Sequence, residues 1–291
     1  MNALIPILTS TITAATPLIY ASLGELVVER SGVLNLGVEG MMLVGALAGF
    51  AVGATSGSLA LGYLAAIGAA VLLALLFALL TITLQTNQVA TGLALTLFGI
   101  GLSAFAGRHF TGLSIHGLRP VFGFDVLVYG SIALYAGVAW FLQRTRAGLQ
   151  LRAIGESPAV AHSLGQPVTR VRYLAVMFGG ATSGMAGAYL STALTPMWVE
   201  GMSAGRGWIA LALVIFATWK PLRVLIGAYL FGLVSVLQLY AQGFGVSVPS
   251  EFLSMLPYVA TIVVLVLICR DPKTIRLNQP ASLGRSFHAS A

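Results

Sequence analysis

The chain has 291 residues, 58% of them hydrophobic and only 8% charged, with a mean hydropathy of +0.94. Soluble domains carry roughly 25% charged residues, so this composition excludes a soluble enzyme or binding module and indicates a polytopic membrane protein. The formal net charge of +7 would suit a nucleic-acid partner only if it clustered on a folded soluble face. Instead the bases sit in a central loop and in the C-terminal tail, which is an orientation signal, and nucleic acid is excluded as a partner.

In chain order, Ala3–Leu23 is the first apolar run. No Lys or Arg precedes it, so it lacks the basic leader of a signal peptide and reads as a retained span with its N-terminus outside. Glu25, Glu29 and Arg30 then mark a cytoplasmic turn. Leu36–Val52 is the second span, reached through Asn35, Gly37, Glu39 and Gly40. Leu59–Leu84 and Val89–Gly107 are the third and fourth. Arg108–Asp125 is a long outer loop holding His109 and His116. With no cysteine or second ligand pair beside them, these read as loop histidines and not as metal ligands. Val126–Leu142 is the fifth span.

Arg144–Tyr173 is the most polar continuous stretch, with Arg144, Arg146, Arg152, Arg170 and Arg172 set against one acid, Glu156. Its Lys/Arg excess holds it on the cytoplasmic side. Within it, Glu156–Leu164 reads as a short helix. Pro158 suits a first turn, Ala159, Val160, Ala161 and Leu164 supply an apolar face, and Gly165 is a stop. Such a helix between two spans is either a solvated connector or a docking element for a cytoplasmic partner.

Leu174–Leu194 is the sixth span, and its row of Gly, Ala and Ser is what close helix packing in lipid needs. Thr195–Arg206 lies outside. Gly207–Thr218 is apolar but shorter than the ~20 residues of a straight span. Trp219–Arg223 is an inner turn, Val224–Tyr240 the eighth span and Phe252–Cys269 the ninth. Cys269, the single cysteine, cannot form an internal disulfide. The reading is one transmembrane domain over 1–272, with its central loop at 144–172, and a flexible cytoplasmic tail over 273–291. The alternation of nine spans puts every basic cluster except Arg108/Arg119 on one side. Gly32–Gly53 and Gly201–Thr218 each lead from a Gly-rich stretch into a short apolar segment, in opposite orientations. That is the pattern of an inverted repeat, although Gly-rich segments are also common in membrane helices.

Several chemistries are excluded or weakened by what is missing. The only lysines, Lys220 and Lys273, follow Trp219 and Pro272, so the GxxxxGK[ST] loop that cradles nucleotide phosphates is absent. Gly201–Gly205 fits the GxSxG pattern of a nucleophile elbow centred on Ser203. However, no span contains the histidine base that an intramembrane serine hydrolase would need. A channel or secondary transporter would show ionisable groups inside its spans; the candidates are Glu25, Glu39 and Glu200.

Three stretches carry a family resemblance: ERSGVLNLGVEGMMLVGALAG at Glu29–Gly49, AIGESPAVAHSLGQPVTRVRY at Ala153–Tyr173 followed by GGATSGMAGAYL, and GMSAGRGWIALALVIFATWKPLRVLIGAYLFG at Gly201–Gly232. Together they resemble permease subunits of bacterial ABC importers. The branch is the simple sugar and nucleoside one of the branched-chain amino acid/ribose-type permease superfamily, nearest its nucleoside-type members. The resemblance implies an all-α ABC importer permease fold in the bacterial cytoplasmic (inner) membrane. It also implies a second permease subunit, the same or homologous, and ABC ATPase subunits that hold ATP and Mg, so that this chain is not an enzyme and carries no cofactor. An extracytoplasmic substrate-binding protein would deliver the solute, a nucleoside first and a simple sugar second.

The helix in the central loop would then dock on the ATPase through Gly155, Glu156, Ala159, Ala161, Leu164 and Gly165. A polar route through the membrane would draw on Asn35, Glu39, Thr96, Glu200, Trp208 and Gln238. Each of these could instead be a helix–helix hydrogen bond, worth about 0.6 kcal/mol in membranes.

Overall fold

The computed structural model describes residues 4–118, 120–243 and 278–288, and nine positions within 252–266. Arg119 lies outside the described residues, as do half of the expected ninth span, including Cys269, and the basic residues Arg270, Lys273 and Arg276. Among the described residues the chain is all-α, 78% helical. In order, the helices are α1 (Leu4–Arg30), α2 (Val38–Ser56), α3 (Leu59–Ala78), α4 (Gln88–Gly107), α5 (Val126–Arg144), α6 (Arg146–Glu156), α7 (Pro158–Ser163), α8 (Val168–Tyr189), α9 (Arg206–Phe216) and α10 (Pro221–Gly243). Short polar side chains start half of them, as N-caps should. Asn87 accepts from Ala90 N, Asp125 from Leu127 N and Val128 N, Thr145 from Gly148 N and Ser157 from Val160 N.

Six of these, α1 to α5 and α10, are long and apolar enough to cross a membrane, so the chain is a multi-pass membrane protein. The expected count of nine is not reached among the described residues. α8 has the length but is built from small residues with Arg170 and Arg172 in its first turns, and α9 has 11 residues. The fold also differs from expectation at the end of α1. Glu25, Glu29 and Arg30 do not form a turn; they continue the helix, and both glutamates are buried.

α8 is the central element, packed against α1, α2 and α3. Small residues let the backbones approach closely, as they must where lipid supplies no hydrophobic force between helices. A Cβ on Gly45 of α2 would stand 2.6 Å from the Cα of Gly184 in α8, and one on Gly99 of α4 would stand 2.6 Å from the Cα of Gly40. α3 and α8 both run on into a single π-helical turn, at Leu79–Thr83 and Leu190–Leu194. On one face, the 108–125 connection lies against residues 195–200 through bridges of Thr111 with Trp198 and Ser114 with Met197. On the other face lie α6, α7 and residues 278–288.

Candidate functional site

Two buried carboxylates hold α9 inside the bundle. Glu39, in the first turn of α2, accepts at Oε1 from Ser203 Oγ (2.6 Å) and Gly205 N (2.9 Å), and at Oε2 from Gly207 N (2.6 Å). Gly205 and Gly207 flank the first residue of α9, so the carboxylate satisfies backbone N–H groups that a helix start leaves unpaired, at the positive end of the helix dipole. There is no room for a side chain at Gly207, whose Cβ would stand 2.6 Å from Glu39 Cα. At the far end of α9, Trp219 Nε1 donates to Glu29 Oε2 of α1 (2.5 Å), and Arg30 donates twice to the Trp219 carbonyl (3.2 and 2.7 Å). Trp219 is buried with φ +53, next to Thr218 at φ +48, a left-handed pair that non-glycine residues rarely adopt. A helix too short to cross is thus pinned at its start by α2 and at its end by α1.

The second constellation is the polar face around α6 and α7. α7 presents Val160 (57% exposed) and Leu164 (73%), with Ala159 exposed beside them. Ala161 does not share that face. It is 4% exposed and packs inward with Ile154, Val168 and Phe287. Glu156 is exposed, and its Oε2 accepts from Ala281 N (3.4 Å). Gly155 is buried against the carbonyl of Arg30, where a Cβ would not fit. Its own carbonyl accepts from both the N–H (3.0 Å) and the hydroxyl (2.7 Å) of Ser282. Gly165 turns the chain at φ +76, open to solvent.

Residues 278–288, part of the tail expected to be flexible, therefore run as a strap across this face. Gly284 N donates to Gly32 O (3.2 Å), Arg172 Nη2 to Ser282 Oγ (3.2 Å) and Gln85 Nε2 to Phe287 O (3.0 Å), while the Phe287 ring meets His162 edge-on. Backbone groups of three segments are satisfied this way, which is why the strap is ordered in spite of its polar, Pro- and Ser-containing composition.

Residues 7–268 match the family of branched-chain amino acid transport system permease components. The chain belongs to this permease family. It is similar to the "Putative glucose ABC transporter permease protein TsgC13" of Haloferax volcanii, at 42% identity over 97% of both chains. It is also similar to the nucleoside ABC transporter permease protein NupC of Lactococcus lactis, at 32% over 92% of this chain and 93% of the relative, and to the guanosine ABC transporter permease protein NupQ of Bacillus subtilis, at 31% over 89% and 90%.

In the permease, the six residues expected along a polar route separate into three groups. Asn35, Glu39 and Thr96 are buried and engaged. Asn35 accepts from Gly37 N (2.9 Å) and gives its own N–H to Glu25 Oε1 (3.2 Å), and Thr96 donates to Leu36 O (2.8 Å). These three tie the α1–α2 connection to α4 and α9. Glu200 is exposed in the 195–205 connection, and Trp208 is 36% exposed at the start of α9. Gln238 is half-buried in α10, apart from the others. The GxSxG serine donates to the Glu39 carboxylate and lies in the connection ahead of α9, without the strand-to-helix turn of a hydrolase elbow.

The repeat suggested by Gly32–Gly53 and Gly201–Thr218 does not emerge as a matched pair: one opens a 19-residue helix and the other an 11-residue helix. The two stretches touch each other through Glu39 instead.

Sequence reasoning missed Glu29, Trp219, Arg172 and the strap. The signal for the first two was a tryptophan placed between an apolar segment and Pro221, where a solvated turn has no use for one. Nothing local marks the strap.

Proposed function

We propose that the chain is the membrane subunit of an ATP-driven importer of a small polyhydroxylated solute, a simple sugar. The relative at 42% identity along nearly the full length of both chains favours a sugar over the nucleoside expected first from the motifs. A nucleoside is the second reading, favoured by the relatives at 32% and 31%. The permease would work with a second permease subunit, two ATPase subunits and an extracytoplasmic binding protein, in the cytoplasmic membrane, N-terminus outside and α6–α7 in the cytoplasm. Hydrolysis would occur in the ATPase; this chain would convert ATPase closure into rocking of its spans.

One observation carries the coupling reading. α7 exposes Val160 and Leu164 to solvent while its inner face is held by Ile154, Val168 and Phe287. Apolar side chains kept outward on a supported element between membrane helices suit insertion into a groove of a soluble partner. Glu156, Gly155 and Gly165 would set the register of that element, and Ala161 would support it from behind. A push on α7 would reach α1 through Gly155 and Arg30, and α8 through Val168 and Arg172.

The test is uptake of labelled glucose, ribose and guanosine by cells lacking and regaining the permease together with its ATPase. Glucose uptake restored by the wild type is expected; restoration of guanosine alone would decide for the second reading. Val160→Arg and Leu164→Arg should each lower ATPase co-purification about thirtyfold, since a central interface contact is worth 2 kcal/mol or more. Full co-purification in both variants would remove the docking role from α7.

A further inference from the structure

At the boundary between the helix ends and the α6–α7 face lies a cavity of about 280 Å³, lined by Arg30, Arg152 and Lys220 with Leu142, Gln143 and Leu222 around them. Its walls come from the last turns of α1 and α5, from α6 and from the turn into α10. Three cations therefore converge on one small space.

Arg30 is within electrostatic reach of Arg152, a like charge, and of Glu156, whose Oε2 is already engaged by Ala281 N. The other carboxylate at this end of α1, Glu29, takes the Trp219 indole at Oε2, and its Oε1 is buried without a hydrogen-bond partner. The Arg30 N–H groups go to the carbonyls of Trp219 and Asn278. Arg152 Nε, by contrast, is buried without an acceptor, a rare condition for a guanidinium donor. Lys220 is exposed at the rim, and beside it Leu222 is 56% exposed.

Like charges lining one cavity, with one buried donor unanswered, suit an anion. Guanidinium and ammonium groups together match phosphate oxygens. The location favours a phosphate at headgroup depth. Arg30 is the last residue of a membrane-crossing helix and Pro221 the first of another, and basic pockets between membrane helices take anionic headgroups.

We infer that Arg30, Arg152 and Lys220 form a binding site for a phosphate-bearing anion at the membrane boundary, with an anionic phospholipid as its source. The site does not depend on which solute the permease moves or on α7 docking.

The full-length permease, delipidated in a neutral detergent, would be examined by native mass spectrometry with phosphatidylglycerol, phosphatidylcholine or sn-glycerol 3-phosphate. A phosphatidylglycerol adduct is expected where phosphatidylcholine gives none. Lys220→Gln and Arg152→Gln should each weaken it about fivefold, the effect of one basic group near an anionic surface. Competition by sn-glycerol 3-phosphate at equal concentration would support the phosphate site and assign it to a soluble phosphate compound. Equal adducts with both lipids and none with sn-glycerol 3-phosphate would overturn the site. So would an adduct unchanged in Lys220→Gln, a variant at an exposed position that leaves packing intact. If the wild type bound none of the three and Lys220→Gln lost ATPase co-purification, the basic pocket would be a protein contact instead.

Discussion

Glu39 shows how a residue can be read as special from the sequence while its partners stay hidden. An acid near the start of an apolar span suggests a group lining a route or an ion-pair partner. In the folded protein its carboxylate accepts three hydrogen bonds from the segment that starts α9. Leaving a buried donor or acceptor unsatisfied costs about 1–3 kcal/mol, more for charged groups. Glu39→Gln turns an amide NH2 toward backbone N–H donors and should lower thermal stability in detergent by several degrees. Ser203→Ala removes a single donor and should cost about 1 kcal/mol. Unfolding followed by tryptophan fluorescence would rank the two. A Glu39→Gln protein as stable as wild type but inactive in uptake would return Glu39 to the solute route.

At the scale of elements, the strap and the small-residue helices behave in opposite ways. Residues 278–288 form no regular element, yet they close off α6, α7 and the ends of α1 and α8 by hydrogen bonds to Gly155, Gly32, Arg172 and Gln85. Deleting 278–291 should leave the spans inserted but expose Ala161 and Ile154, so that trypsin cuts within 144–172 much faster than in the full chain. Equal cleavage rates would show that the strap adds no order there.

The α2–α8 contact depends on having no side chain at Gly45. A methyl at that position would meet Gly184 Cα at 2.6 Å, whereas one at Gly101 of α4 meets nothing within 4 Å. Overpacking of this kind typically costs 1–3 kcal/mol. Gly45→Ala should therefore depress the unfolding midpoint, and Gly101→Ala should leave it unchanged. Matching midpoints for the two variants would mean that the helices can separate at no cost.

For the whole molecule, the charge distribution predicts an orientation, because an excess of Lys and Arg is held on the cytoplasmic side. Arg144, Arg146, Arg152, Arg170 and Arg172 lie on or beside the α6–α7 face, and the 108–125 connection packs on 195–200 at the other face. With Cys269 replaced by Ser, a cysteine introduced by Ser114→Cys should react with an impermeant maleimide in intact cells. One introduced by Ser163→Cys, exposed on α7, should react only after permeabilisation. The reverse pattern would invert the protein and place α7 outside, against the proposed docking role.

The amino-acid sequence by itself determined the membrane class, most helix positions, the short helix in the central loop and the family. Each of these is written in local signals: long apolar runs, a basic central loop, a proline at a first helical turn, and motifs contiguous along the chain. The tertiary structure alone decided the partners of those residues. That Glu39 meets Ser203, that Trp219 meets Glu29, and that the last residues return to Gly32 and Gly155 are pairings across separations of 164, 190 and about 127 residues or more. No periodicity encodes such distances. It was likewise only in the fold that Ala161 turned inward and left Val160 and Leu164 on the surface. A six-residue helix has apolar residues on more than one side, and which side is buried depends on what arrives to cover it, here Ile154, Val168 and Phe287.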